Sequence, residues 1–256
     1  MKHLVLAHGI LGFGSSEILP TLVHYFNGVA AHLERRGHRV IEPQVNPIGS
    51  IAERGDQLGA HIMNMPLDAG EKVHIIAHSM GGLDARHALA HVPHVKDRVA
   101  TLVTIGTPHK GSPVADAIVA RTGLLFMQCP VLIIEQLRLN PAGLRDLTTS
   151  AVAHFNTVTP DVPGVRYRAV AGNAANSGGE LLLFQLAAAL GHVTNEINDG
   201  VVTKTSALRA GYEPLSDWPT DHAGEVGWTF PPVLAFDVPL LSPPHFARYD
   251  EIVGRL

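Results

Sequence analysis

One serine stands where a strand-like run meets a helix-like one, and its neighbours are small. KVHIIAH (72 to 78) is an apolar β-rich run, Ser79 follows it, and MGGLDARHALAHV opens a helical period. In Ala77-His78-Ser79-Met80-Gly81 the positions two before and two after the serine are alanine and glycine. A nucleophile elbow needs that spacing, because strand and helix backbones nearly touch across the turn that lifts the hydroxyl clear. Alanine at 77 adds one methyl to the usual glycine. The helix N-terminus then favours developing negative charge on the serine. The competing reading is that Ser79 only N-caps the helix, a common task for serine.

Acyl transfer also needs fixed donors for a tetrahedral oxyanion. His8-Gly9-Ile10-Leu11-Gly12 ends the first apolar run and supplies a glycine-rich loop. With a nucleophile at 79, the expected backbone donors are the N–H groups of Met80, which follows it, and Ile10 in this first loop. Without the elbow, the same loop would be an ordinary tight turn.

A general base and an acid must follow the serine in that fold, in the order serine, acid, histidine. The chain has 16 histidines, so residue type alone selects none. His87, His91 and His94 lie on or just after the elbow helix, and His109 is too early. His222, in the polar loop DWPTDHAGEVGW (217 to 228), is the expected base, with His245 in reserve. The expected acid is Asp199 in Asn198-Asp199-Gly200-Val201-Val202, whose carboxylate would hold the imidazole in one tautomer. Asn-Asp-Gly is also a good turn former. Asp217, Asp221 and Asp237 remain competitors, although Asp221 adjoins His222 and neighbouring side chains seldom face each other.

The elements needed to position these groups are legible as alternating short strands and helices, the signature of a parallel sheet covered on both faces. HLVLAH (3 to 8), HRVIEP (38 to 43), KVHIIAH (72 to 78), VATLVTIG (99 to 106) and VRYRAVAG (165 to 172) read as five strands. Leu22, Phe26, Val29, Ala30 and Leu33 predict a helix ended by Gly37, and Ile51, Leu58, Ile62 and Met65 one stopped by Pro66. The expected fold is a single α/β-hydrolase domain over residues 1 to 256, with loops at the carboxyl ends of the strands carrying the chemistry. Residues 110 to 150 do not read as sheet. Their apolar run GLLFMQCPVLIIEQL (123 to 137) fits either core helices or a short apolar lid, and LLLFQLAAALG (181 to 191) reads better as a core helix.

Composition excludes several classes of function. Net charge is -4, with 46% hydrophobic and 16% charged residues and no basic stripe, so no nucleic-acid partner is expected. No stretch of about 18 or more uninterrupted apolar residues predicts a transmembrane helix. Cys129 is the single cysteine, which rules out an intrachain disulfide. No signal peptide is visible as written, which is compatible with the cytoplasm or with a mature secreted form carrying an added Met. Oligomeric state is not encoded in any feature of the sequence.

HLVLAHGILGF, AHSMGG, TIGTPHKGSPVAD (104 to 116), NDGVV and DHAGEVGW together resemble the bacterial true-lipase family, the triacylglycerol lipases of Pseudomonas and Burkholderia. The resemblance implies a triad of Ser79, Asp199 and His222, oxyanion donors at Ile10 and Met80, and an ester or lipid substrate. The family also binds a structural calcium through an aspartate two residues after the catalytic histidine, and that position here is Gly224. From Asn173 to Asn198, where the second family aspartate would fall, this chain has none, and Glu180, Glu196 and Glu225 do not sit at matching positions. The expectation is therefore no metal and no cofactor. Thioesterase, phospholipase and acyltransferase activities use the same machinery, and a non-catalytic relative that only binds a ligand is the rival from another class.

Overall fold

The computed structural model describes residues 1–10, 25–128, 141–176, 184–228 and 244–256. Each predicted strand is present: β1 (His3–Ala7), β2 (Arg39–Ile41), β3 (Val73–His78), β4 (Val99–Ile105) and β5 (Arg166–Val170). A sixth, β6 (Glu213–Pro214), was not anticipated, since two residues carry no period to read. All pair in parallel in the order β2-β1-β3-β4-β5-β6. Sequential β1 and β2 are neighbours, yet β3 joins the other side of β1. The sheet order thus reverses at β1 and β3, the place where open α/β sheets put ligand sites beyond the carboxyl ends of their strands.

The continuous apolar runs of the central strands follow from burial on both faces. Alternate residues point to opposite sides, so Leu4, Leu6, Ile76, Val103 and Val170 enter one core and Val5, Ala7, Ile75, Ala77 and Leu102 the other. The first core is closed by α1 (Val29–Arg35) and the second by α2 (Ile51–Met63), α3 (Met80–His91) and α4 (Val95–Arg98). Ser50 caps α2 by accepting from the Glu53 N–H, which explains why that helix starts where it does. Leu22 of the predicted first helix lies outside the described residues.

Beyond β4 come α5 (Pro113–Ala120), α6 (Gly123–Gln128), α7 (Pro141–Asp146) and α8 (Thr149–Val158), then α9 (Phe184–Thr194) and α10 (Lys204–Ala207) after β5. Val114, Ile118, Leu125, Leu144, Leu186 and Leu190 from these helices, with Leu147 of the turn between α7 and α8, share a third core with Met80 and Leu83 of α3. The described part of 110 to 150 is therefore packed down over the start of α3, while Leu124 and Met127 of α6 keep apolar surface exposed. Residues 129 to 137 of the apolar run lie outside the described residues. Leu186 and Leu190 make α9 a core helix, as its composition suggested. The last helix, α11 (Pro244–Arg255), packs Tyr249, Ile252 and Val253 onto the α1 side.

A buried ion pair ties two of these layers together. Arg54 of α2 and Asp84 of α3 are both fully enclosed, with Arg54 Nη2 2.7 Å from Asp84 Oδ2. The same guanidinium donates to the carbonyls of His8 and Asn46, at 2.7 and 2.8 Å. One side chain thus fixes the loops after β1 and β2 against the helix that Ser79 begins.

Candidate active site

Ser79 occupies the sharp turn between β3 and α3 at φ 55° and ψ −130°, a conformation L-residues rarely adopt. The crowding around it shows why the flanking residues are small. A Cβ at Gly81 would collide with the carbonyl oxygens of Ala7 and His8, and one at Gly82 with the Thr107 hydroxyl. Ala77 turns its methyl into the second core, where it fits without exposure. The Ser79 hydroxyl makes no capping bond to α3, so the capping alternative does not describe its contacts. Its Oγ lies instead 2.9 Å from His222 Nε2.

His222 Nδ1 lies 2.8 Å from Asp199 Oδ2. The turn chemistry of Asn-Asp-Gly is what aims that carboxylate. Asp199 Oδ1 accepts from the Val201 and Val202 N–H groups at 2.8 and 2.7 Å, which leaves Oδ2 for the imidazole. The His222 N–H also bonds the Asp199 carbonyl at 2.9 Å, stitching the two loops together. Ser79 and Asp199, 143 and 23 residues from His222 in the chain, thus meet it in one hydrogen-bonded line.

The competitors lie elsewhere. Asp221 Oδ1 accepts from the Gly224 N–H at 2.7 Å, and Asp217 pairs with Lys204. His245 donates to the Asn27 carbonyl and packs on Gly227. Asp237 lies outside the described residues.

Sequence reasoning missed a second carboxylate and two rings behind His222. Glu225 has no exposure, and its Oε2 lies 3.4 Å from His222 Nδ1 and 2.9 Å from His78 Nε2. Tyr25 Oη lies 2.6 Å from His78 Nδ1. Burial, then the nearby His222 charge, holds His78 well below the ordinary histidine pKa. A neutral His78 satisfies both partners in one tautomer, donating from Nε2 to the carboxylate and accepting the phenol at Nδ1. Gly106 and Gly172 leave the room this carboxylate occupies, since a Cβ at either would strike it. The available signal was the three-residue spacing from His222 to Glu225 in DHAGEVGW, which one short turn brings to the same side.

These charges set the titration of His222. Burial opposes a charge on His222, but Asp199 and then Glu225 outweigh it and raise the pKa above the ordinary 6.5. Burial likewise raises Asp199 and Glu225, with His222 opposing in each case. With His222 as the base for Ser79, only its neutral imidazole could accept the proton, so a raised pKa would move the acid limb of kcat/KM to higher pH. The limb is expected above pH 6.5, and Glu225→Gln should lower its midpoint by removing one of two anions. A pH profile of p-nitrophenyl ester hydrolysis checks both, and an unchanged midpoint in the variant would contradict the charge argument.

Met80 directly follows Ser79, and Ile10 follows Gly9 in the loop after β1. Met80 is the first residue of α3, where the N–H has no intrahelical partner. Gly9 lies against Ser79, since a Cβ there would come 2.8 Å from Ser79 Cβ and 3.2 Å from Oγ, and the Ile10 side chain packs into the third core beside Met80. A line of hydroxyl, imidazole and carboxylate of this kind has the parts of a general-base-activated nucleophile.

His78, His222 and Glu225 also offer metal-ligand atoms within 4.8 Å of one another, but those atoms already hydrogen-bond within this cluster. At Gly224, which stands where the family carries a calcium-ligating aspartate, there is no side-chain oxygen. A Cβ on Gly224 would collide with Thr220 Oγ1, and Asp221 turns inward onto the Gly224 N–H.

Comparison with known proteins follows the same line. Residues 59–122 match the model of the PGAP1-like alpha/beta domain family. A triacylglycerol lipase of Vibrio cholerae is 32% identical over 254 residues, an alignment covering 87% of this chain and 78% of that protein. Triacylglycerol lipase 2 of Saccharomyces cerevisiae is 36% identical over 150 residues, with 57% of this chain and 44% of that protein covered. The chain thus spans less than half of the yeast protein. A crystal structure of a Bacillus licheniformis lipase in mature form superposes with a TM-score of 0.72 at 24% identity, covering 88% of this chain and 86% of that one. At that identity, the superposition speaks for the fold.

Proposed function

Because this chain belongs to the bacterial triacylglycerol lipase family, we propose that it hydrolyses carboxylic esters through an acyl-enzyme on Ser79, with His222 as base and Asp199 as its acid. The observation that carries this reading is the unbroken line from Ser79 Oγ through His222 to Asp199 Oδ2, with bonds of 2.9 and 2.8 Å. Ser79 Oγ adds to the ester carbonyl as its proton passes to His222 Nε2. The Ile10 and Met80 N–H groups bind the oxyanion. His222 then gives the proton to the leaving alcohol, and water activated by the same imidazole releases the acid. Asp199, held by two backbone donors, keeps the Nδ1–H tautomer and stabilises the imidazolium. A fluorophosphonate probe tests the reading: labelling of wild type and none of Ser79→Ala is expected, whereas equal labelling would refute it.

The acyl group enters, on this reading, between α6 and the Ser79 turn, with the exposed Leu124 and Met127 as the described part of an apolar lid within 110 to 150. Leu124→Ser with Met127→Ser should then depress turnover of long-chain p-nitrophenyl esters more than of short ones. Equal losses with a lowered Tm would make the segment core. A lipid or other small ester is the proposed substrate. Among the described residues no helix is long and apolar enough to cross a membrane.

We further propose that the enzyme works without calcium. The His222 loop is held by direct hydrogen bonds, the His222 N–H joining it to the Asp199 carbonyl and Asp221 closing its turn onto the Gly224 N–H. A chelator should leave activity and Tm unchanged. Inactivation reversed by added calcium would show that other ligands rebuild a site.

A further inference from the structure

Three hydrogen bonds converge on His8, the residue immediately before the Gly9–Ile10 peptide. His8 Nδ1 lies 2.9 Å from the Gly9 carbonyl oxygen. The Val45 N–H points at His8 Nε2 from 3.3 Å. The His8 carbonyl accepts from the buried Arg54 guanidinium at 2.7 Å. These partners admit one state of the ring. A carbonyl only accepts, so Nδ1 carries the proton; Val45 N–H only donates, so Nε2 keeps its lone pair. A cationic His8 would lose the Val45 bond and stand beside Arg54 in a nearly closed site. Burial, then Arg54, accordingly depresses its pKa to about 4.

A trans peptide is planar, so its C=O and N–H point in opposite directions. Fixing the Gly9 oxygen on the His8 ring therefore turns the Ile10 N–H away from that ring. The same peptide lies against Ser79, with a Cβ position at Gly9 3.2 Å from Oγ. Arg54 fixes the preceding peptide in the same way, and through Asp84 it is anchored to α3, whose first N–H is that of Met80. Both backbone donors are held from one framework.

We propose that His8 is a positioning residue of the oxyanion site, a neutral Nδ1–H imidazole that orients the Gly9–Ile10 peptide so that the Ile10 N–H faces the reacting carbonyl. The inference rests on the acyl-enzyme reading and adds to it a residue outside the triad. It also gives the loop glycine a reason: with no Cβ, Gly9 lets the peptide sit against Ser79 while its oxygen turns back to its neighbour's ring.

An oxyanion donor acts in the transition state, so its misplacement lowers kcat and leaves KM nearly unchanged. The test compares His8→Leu, His8→Asn and His8→Gln on p-nitrophenyl butyrate, with Tm for each and Ser79→Ala alongside. Asparagine places an N–H donor where imidazole Nδ1 stood, whereas the glutamine amide sits nearer the place of Nε2. His8→Leu should lose kcat by about 10²- to 10³-fold at similar KM, as expected for one oxyanion donor. His8→Asn should recover to within about tenfold of wild type, and His8→Gln should stay at least tenfold below His8→Asn. If His8→Leu does not fold, the asparagine–glutamine comparison decides. Equal kcat for those two, or a folded His8→Leu with wild-type kcat, would overturn the proposal. Should Ser79→Ala keep wild-type turnover, the acyl-enzyme reading itself fails; a dead Ser79→Ala beside fully active His8 variants removes only the present inference.

Discussion

Ser79→Ala is expected to lower ester turnover by on the order of 10⁴- to 10⁶-fold while the protein stays folded. The fold should persist because the hydroxyl does no structural work that alanine would undo. It does not cap α3, and Cβ is retained in the same strained turn at φ 55°. Losing the 2.9 Å bond to His222 removes a contact worth about 0.5–1.5 kcal/mol, small against the stability of a domain of this size. The catalytic loss is large because no other hydroxyl described near His222 Nε2 takes the place of Oγ. Residual turnover should persist above the uncatalysed rate, since the backbone donors and substrate contacts survive. KM should change little, because Oγ forms its bond to substrate during the reaction. Steady-state kinetics with a Tm measurement check this, and near-wild-type turnover by folded Ser79→Ala protein would remove the basis of the proposed function.

Asp199→Asn should cost on the order of 10²- to 10⁴-fold in kcat, and Asp221→Asn less than about tenfold. The difference follows from which oxygen of each carboxylate is occupied. Asp199 Oδ1 accepts from two backbone N–H groups, so an asparagine oxygen is held there and its amide nitrogen must face His222. Two donors then confront each other, unless the imidazole moves its proton to Nε2, the tautomer that cannot take a proton from Ser79. Glu225, 3.4 Å from the same Nδ1, is the group that keeps the loss from being larger. Asp221 bonds only the Gly224 N–H among the contacts that matter here, and an asparagine oxygen preserves that bond. The single variants, assayed for kcat and KM together, check the ranking. Greater damage from Asp221→Asn would move the acid to that residue.

The sequence determined those features that depend on short spacing. The central strands were legible because a strand buried on both faces must be largely apolar, and runs such as LVLA (4 to 7) satisfy that. The elbow was legible because Gly81 and Gly82 are forced by contacts with Ala7, His8 and Thr107, and the steric demand leaves a fixed spacing around Ser79. His222 and Asp199 were singled out by chain order and by resemblance, not by any local pattern that separates them from the other histidines and aspartates. Their meeting is tertiary: it depends on loops 143 and 23 residues apart being stitched at the Asp199 carbonyl and aimed by the Val201 and Val202 N–H groups.

Only the tertiary structure decided the Tyr25–His78–Glu225 arrangement behind the base, because its members come from three distant segments and no periodicity links them. The same holds for the pair Arg54–Asp84 and its reach to the His8 carbonyl. A buried charge is stable only where partners from other elements surround it, and those partners are fixed by packing rather than by neighbours in the chain. The two-residue β6 escaped the sequence for a related reason. It has too few residues to show a period, and it exists because β5 offers it an edge.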